Sequence, residues 1–164
     1  MNDTTVFLAW EFSSPDTAFP LRQMNIKSMK INLDILENTR DWRGKKIQVV
    51  KMPIPVLFYK MSELDRGTYD YLRSEYPNLD IDLGQEIKIV ACAGYLNYLI
   101  SNEIIILPSY WTSNVPLIQK ENDSIAKFLF QKYYPEREII QINPLRLNYA
   151  GGGMHCTYYA VPQN

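Results

Sequence analysis

Apolar and polar positions alternate between two periods along the chain, and the changes of period outline its elements. Thr4–Phe12 (TTVFLAWEF) is β-rich and continuously apolar in its middle, which predicts a largely buried strand. Ser13, Ser14, Pro15 and Asp16 then predict a turn. From Leu21 to Thr39 there is no Gly or Pro, and Leu21, Met24, Met29, Leu33 and Leu36 recur near helical spacing. That predicts a helix packing one face on a sheet. Past a linker ending at Gly44, Lys46–Met52 (KIQVVKM) predicts the next strand. Strand, helix and strand in this order are the grammar of a βαβ element. Pro53 and Pro55 close the unit. The mixed stretch Met61–Lys88, with Tyr69, Tyr71 and Tyr76 among acidic residues, predicts a long loop or a short helix.

A second unit begins at Ala93. Gly94–Ile100 (GYLNYLI) alternates, Glu103–Leu107 (EIIIL) is an apolar run, and only Ser101 and Asn102 separate them, which predicts a tight hairpin. Asn122 or Asp123 is expected to cap the next helix, with Ile125, Phe128, Leu129 and Tyr133 on one face. Pro135 stops it, and Arg137–Ile142 (REIIQI) predicts a strand. The result is a ββαβ unit, and the first unit looks like the end of a similar one. Two related units point to a repeat architecture, in which one unit cannot bury its own sheet face. No Gly- or Ser-rich linker interrupts the chain, so residues 1–164 read as one α/β (α+β) domain without an internal boundary.

The chain has 164 residues, enough for one ordinary domain or part of a larger one. Seventeen basic and eighteen acidic side chains leave a net charge of -1, which argues against nucleic-acid or membrane-surface partners that need a basic face. No apolar run approaches the roughly 20 residues of a membrane helix. Two cysteines cannot build a disulfide scaffold, and the opening MNDTTVFLAW lacks the basic-then-apolar pattern of a signal peptide. A cytoplasmic location with reduced thiols is therefore expected. The single histidine, His155, changes the picture most, because any histidine chemistry must use it or import another.

The candidate chemistry lies in AGGGMHCTYYAVP. Gly151, Gly152 and Gly153 allow positive φ and close approach of a ligand to the backbone. A cysteine just after such a bend is placed to be a nucleophile. The competing reading is a flexible turn followed by a buried, inert Cys156 in the last strand. If MHCTYY is a strand, its neighbours point to opposite faces, so His155 and Cys156 do not form a dyad. Tyr158 and Tyr159 read as packing or pocket-wall residues. Cys92, His155 and Cys156 are too few and wrongly spaced for a metal site.

GGGMHC closely resembles the nucleophile motif of the agmatine deiminase and Porphyromonas-type peptidyl-arginine deiminase family. Val6–Trp10 (VFLAW), Leu33–Pro55, Tyr95–Pro108 (YLNYLISNEIIILP) and Tyr134–Ile142 (YPEREIIQI) resemble that family in its order. The resemblance implies a partial pentein, a β/α-propeller of five ββαβ-type units, of which this chain would form about two to two and a half blades. It also implies hydrolysis of a guanidinium to a ureido group with release of ammonia, without cofactor or metal. On that reading Cys156 is the nucleophile, Gly151, Gly152 and Gly153 bring substrate and backbone together, and Asn97 in YLNY is a pocket residue. Agmatine ranks first as substrate and peptidyl or free arginine second.

The sequence departs from the family in two places. The family's G-H-x-D motif, which holds the acid/base histidine and a guanidinium-binding aspartate, is absent, and the chain begins just downstream of its expected position. The chain would then be the C-terminal half of a deiminase, inactive or nearly so alone. After the cysteine, Thr157-Tyr158-Tyr159-Ala160 replaces the family's I-T-Q-Q. A non-catalytic half-propeller serving binding or assembly is the alternative, its exposed edges covered by a homo-oligomer partner or by a separate N-terminal half.

Overall fold

The computed structural model describes residues 4–12 and 20–159; the turn expected at Ser13–Asp16 lies outside them. Strand β1 (Thr5–Trp10) lies parallel to β2 (Gln48–Pro53), with Thr5 beside Gln48 and Trp10 beside Pro53. Parallel neighbours need a crossover, and α1 (Pro20–Asn38) provides it, giving the expected βαβ element. Its packing face is narrower than expected. Met29, Leu33 and Leu36 are half-buried, whereas Leu21 and Met24 are exposed. At 100° per residue the first three fall within about 60° of one another, while Met24 lies about 140° from Met29.

Of the two readings of Met61–Lys88, the short helix is present, and the two strands that flank it were not expected. Strand β3 (Tyr59–Glu63) pairs antiparallel with β4 (Glu86–Val90), and α2 (Arg66–Glu75) stands between them. No residue of α2 is buried, so local chemistry defines it. Asp65 is its N-cap, accepting from the Thr68 N–H at 2.9 Å and the Thr68 hydroxyl at 2.7 Å.

The second unit forms a three-stranded sheet ordered β5 (Leu99–Ile100), β6 (Ile104–Pro108), β7 (Glu138–Ile142). The hairpin is present, closed by the Ser101 N–H on the Ile104 carbonyl at 2.9 Å. Strand β5 keeps only two residues, because Gly94–Asn97 leave the sheet as a loop. Strands β6 and β7 are parallel across α3 (Leu117–Tyr133), completing the ββαβ unit.

Helix α3 corrects two expectations. It begins after Pro116, so Asn122 and Asp123 lie inside it and cap nothing. Its buried side is Gln119, Asp123, Ala126 and Phe130, while Ile125 and Phe128 are 45% and 64% exposed. Leu129 and Tyr133 of the expected face are half-buried, Leu129 against the core, but polar residues hold half of the buried stripe, so apolar spacing locates the inward face only in part. The core joins Met52 of β2, Ile105 and Leu107 of β6, Ile139 of β7, Ala126 and Phe130 of α3, and Tyr95 and Tyr110 of the adjoining loops. After β7 the short helix α4 (Leu145–Tyr149) leads into the glycines, and Met154–Thr157 form a 3-10 turn in place of the expected strand.

Candidate active site

Two of the three glycines answer a local need, and the needs differ. Gly151 has φ +84°, in the left-handed region where an L side chain costs roughly 1–2 kcal/mol. Gly152 is ordinary, since an added Cβ would meet only the Cys156 Cβ at 3.9 Å. Gly153 has an extended backbone (φ -138°, ψ 179°) that any residue adopts. Its constraint is space, because an added Cβ would overlap the side-chain amide of Asn97.

Asn97 and the cysteine turn, far apart in sequence, thus meet. The Asn97 Oδ1 accepts the His155 N–H at 2.7 Å, and the Cys156 N–H donates to the Gly153 carbonyl at 3.1 Å. A third hold comes from Asn148 of α4, which the sequence reading did not single out. Its Nδ2 donates to the Gly152 carbonyl at 2.9 Å, and its own carbonyl accepts the N–H groups of Cys92 and Gly151. Asn148 is buried, and its Oδ1 has no hydrogen-bond partner among the described residues. Met154 is the turn's buried anchor, whereas His155 and Cys156 are exposed. Exposure on a turn removes the reading of Cys156 as an inert core thiol. The strand argument against a His155–Cys156 dyad also lapses, but a 3-10 turn places successive side chains about 120° apart, so the two still diverge.

His155 stands between two cavities. One, of about 380 Å³, is lined by Ala9, Pro53, Ile54, Gly94 and Asn97 among others. The other, of about 280 Å³, is walled by Leu96, Tyr98, Leu99, Ile100 and Tyr158. Among the described residues no carboxylate lines either. Tyr158 is therefore a wall residue, while Tyr159 is 87% exposed. Among the described residues no group of three or more His, Cys, Asp or Glu side chains could hold a metal ion.

Behind the site lies a second residue that sequence reasoning misplaced. Asp123 accepts from the Tyr95 hydroxyl at 2.6 Å, Gln119 Nε2 at 2.7 Å, the Ser109 hydroxyl at 2.9 Å, the Trp111 N–H at 2.8 Å and the Tyr110 N–H at 3.0 Å. Gln119 and Asn122 also reach the segment after β2, at the Val56 N–H (2.8 Å) and the Ile54 carbonyl (3.1 Å). Burial and the Asp123 carboxylate push the Tyr95 phenol far above its ordinary value; burial raises that of Tyr110 to about 12.

The fold is similar to that of part of two solved agmatine deiminases. The chain aligns over 93% of its length with 35% of the agmatine deiminase of Enterococcus faecalis, at TM-score 0.58 and 21% identity. It aligns over 96% with 35% of the C. jejuni agmatine deiminase, at TM-score 0.54 and 17% identity. In sequence it is 32% identical over 157 residues to the agmatine deiminase of Pseudomonas fluorescens and 29% identical to that of Pseudomonas aeruginosa. Those alignments cover 96% of the chain but only 36% of each relative's length. The family model for Porphyromonas-type peptidyl-arginine deiminase matches residues 2–162. The chain belongs to that family.

Proposed function

We propose that Cys156 is the nucleophile of a guanidine deiminase, and that this chain contributes about two to two and a half blades of a five-bladed β/α-propeller. The observation that carries the reading is an exposed thiol on a glycine-bounded turn fixed by Asn97 and Asn148, in a chain of this family. The Cys156 thiolate would attack the central guanidinium carbon, forming an S–C bond, and the C–N bond to the departing nitrogen would break as that nitrogen takes a proton and leaves as ammonia. Water would then add to the S-alkylthiouronium carbon and the S–C bond would break, returning the thiolate and leaving a ureido product. Agmatine is the proposed substrate, in keeping with the names of the relatives. The family model's description favours peptidyl-arginine as a second reading.

Two further parts are needed. A carboxylate would hold the guanidinium by paired charge-assisted hydrogen bonds, and an acid/base would serve ammonia and water. Among the described residues the cavities beside His155 offer no carboxylate, and the sequence has no G-H-x-D. Removing an acid/base alone costs roughly 10²–10⁴-fold in rate, so the 164-residue chain should turn agmatine over at least that much more slowly than a complete enzyme. The test is a chimera in which this chain replaces the matching segment of the Pseudomonas fluorescens enzyme. It should release ammonia and ureido product from agmatine, and C156S should abolish both. A folded chimera that is inactive, or whose activity survives C156S, would overturn the assignment; an inactive one would favour the binding or assembly reading.

A further inference from the structure

Helix α1 carries two apolar stripes. Met29, Leu33 and Leu36 face its own sheet, whereas Leu21, Met24, Ile31 and Ile35 are 39%, 63%, 52% and 56% exposed. On a helical wheel the second stripe is centred about 125° from the first. Its positions 21, 24, 28, 31 and 35 alternate steps of three and four, the spacing of a coiled-coil seam, with Ser28 as its polar member. A continuous exposed seam of this kind marks an interaction surface.

The flanking residues say what covers it. Lys27 and Asp34 border the seam on one side, and Asn25 and Asn32 on the other. Consider two copies of α1 packed antiparallel about a twofold axis between Ser28 and Ile31, near the helix midpoint. Met24 then meets Ile35 of the second copy and Ser28 meets Ile31. Lys27 comes beside Asp34 of the second copy, twice by symmetry, and Asn25 beside Asn32. Parallel packing offers no such pairing, because it sets Lys27 beside Asn32 and Ser28 on Ser28. The other exposed apolar helix face, Ile118, Ile125 and Phe128 of α3, is broken within its seam by Glu121 and is not self-complementary.

We infer that a second copy of this chain docks on α1, antiparallel, along a seam about 21 Å long. An interface built on one helix pair sits at the low end of specific contacts, about 1,200 Å² or less, so the dimer dissociates reversibly.

Sedimentation velocity of the full chain, from about 1 to 200 µM, should show a concentration-dependent monomer–dimer equilibrium. I31E should abolish the dimer. K27E and D34K should each weaken it by about tenfold, since two exposed ion pairs become two repulsions. The double variant K27E/D34K restores opposite charges and should recover the dimer to within about threefold. Circular dichroism checks that each variant is folded; if I31E fails to fold, the surface charge series still decides. Spin labels at N38C, in a C92S/C156S background, should lie about 25 Å apart along an antiparallel seam rather than about 10 Å as in a parallel one. A monomer across the whole concentration range would overturn the proposal. So would a dimer insensitive to I31E, for instance one broken only by F128E on α3, or a charge swap that fails to restore association.

Discussion

Gly153→Ala is the sharpest test of how the cysteine turn is held. Its backbone is extended, so conformational strain contributes nothing. The whole cost comes from the Asn97 amide, which the new methyl would displace. Displacement breaks the 2.7 Å bond from the His155 N–H to Asn97 Oδ1, a loss of about 1 kcal/mol. Fitting a methyl into a closed site adds about 1 kcal/mol or more, giving about 2 kcal/mol in total. In a chain of this size that lowers Tm by about 4–8 °C. Asn97→Ala alone loses the same hydrogen bond but leaves room for the methyl. On that background Gly153→Ala should be close to neutral, so the double-mutant cycle should give a coupling of about 2 kcal/mol. Thermal unfolding followed by circular dichroism measures all four proteins. Additive costs would refute the reasoning, because Gly153 would then be needed for something other than Asn97.

Gly151→Ala should lose about 1 kcal/mol whatever stands at position 97, because its cost is the positive φ, while Gly152→Ala should change stability by less than about 0.5 kcal/mol; urea denaturation separates the two. Asp123→Ala should cost more than about 3 kcal/mol or prevent folding, since it strands the donors of Tyr95, Gln119, Tyr110 and Trp111 in the interior; a stable variant with an unchanged Tm would contradict the network. Burial raises the phenol pKa of Tyr95, Tyr98 and Tyr110 in the fold, so the unfolded chain releases these protons first, near pH 10. Stability from them is complete below about pH 10 and falls as pH rises further; Tm measured from about pH 9 to 11.5 should drop, and less so in Tyr98→Phe.

The two units bounded by clear punctuation were legible in the sequence, and for physical reasons. In β1–α1–β2 and β5–β6–α3–β7 apolar runs meet Gly, Pro or Asn at their ends, and in the strands burial follows the runs. Residues 59–90 lack that signal, because β3 is mostly exposed and α2 buries nothing, so no apolar period exists to be read. The visible signal there was the Asp65–Thr68 cap. On α3 the period was real but located the inward face only in part. A buried carboxylate and amide replace apolar side chains at 119 and 123, and only tertiary donors from loops distant in sequence make that favourable. The glycine triplet announced the site, yet its division of labour did not show, since Gly153 is constrained by a side chain more than fifty residues away.

An exposed cysteine on a turn cannot be fixed by packing of its own side chain, so its position must be imported. Met154 supplies the turn's one buried side chain, and the rest is hydrogen bonding from Asn97, Asn148 and the turn itself. Asn97 is only as rigid as the loop that carries it. That loop is fixed two and three residues earlier, where Tyr95 is buried against Asp123 and the Gly94 N–H donates to the Tyr110 hydroxyl at 2.9 Å. Tyr110 is in turn held by its own N–H on Asp123. One carboxylate in the middle of α3 therefore anchors, through two tyrosines, the loop that aligns the cysteine turn. A buried anion is tolerable only when its donors are all in place, so the arrangement is close to all-or-none. Loosening it at Asp123 should free the turn as well as the core: Asp123→Asn, which keeps the size but removes the charge and turns one acceptor oxygen into an NH2 donor, should alter the alkylation rate of Cys156 while leaving Cys92, also exposed, less affected.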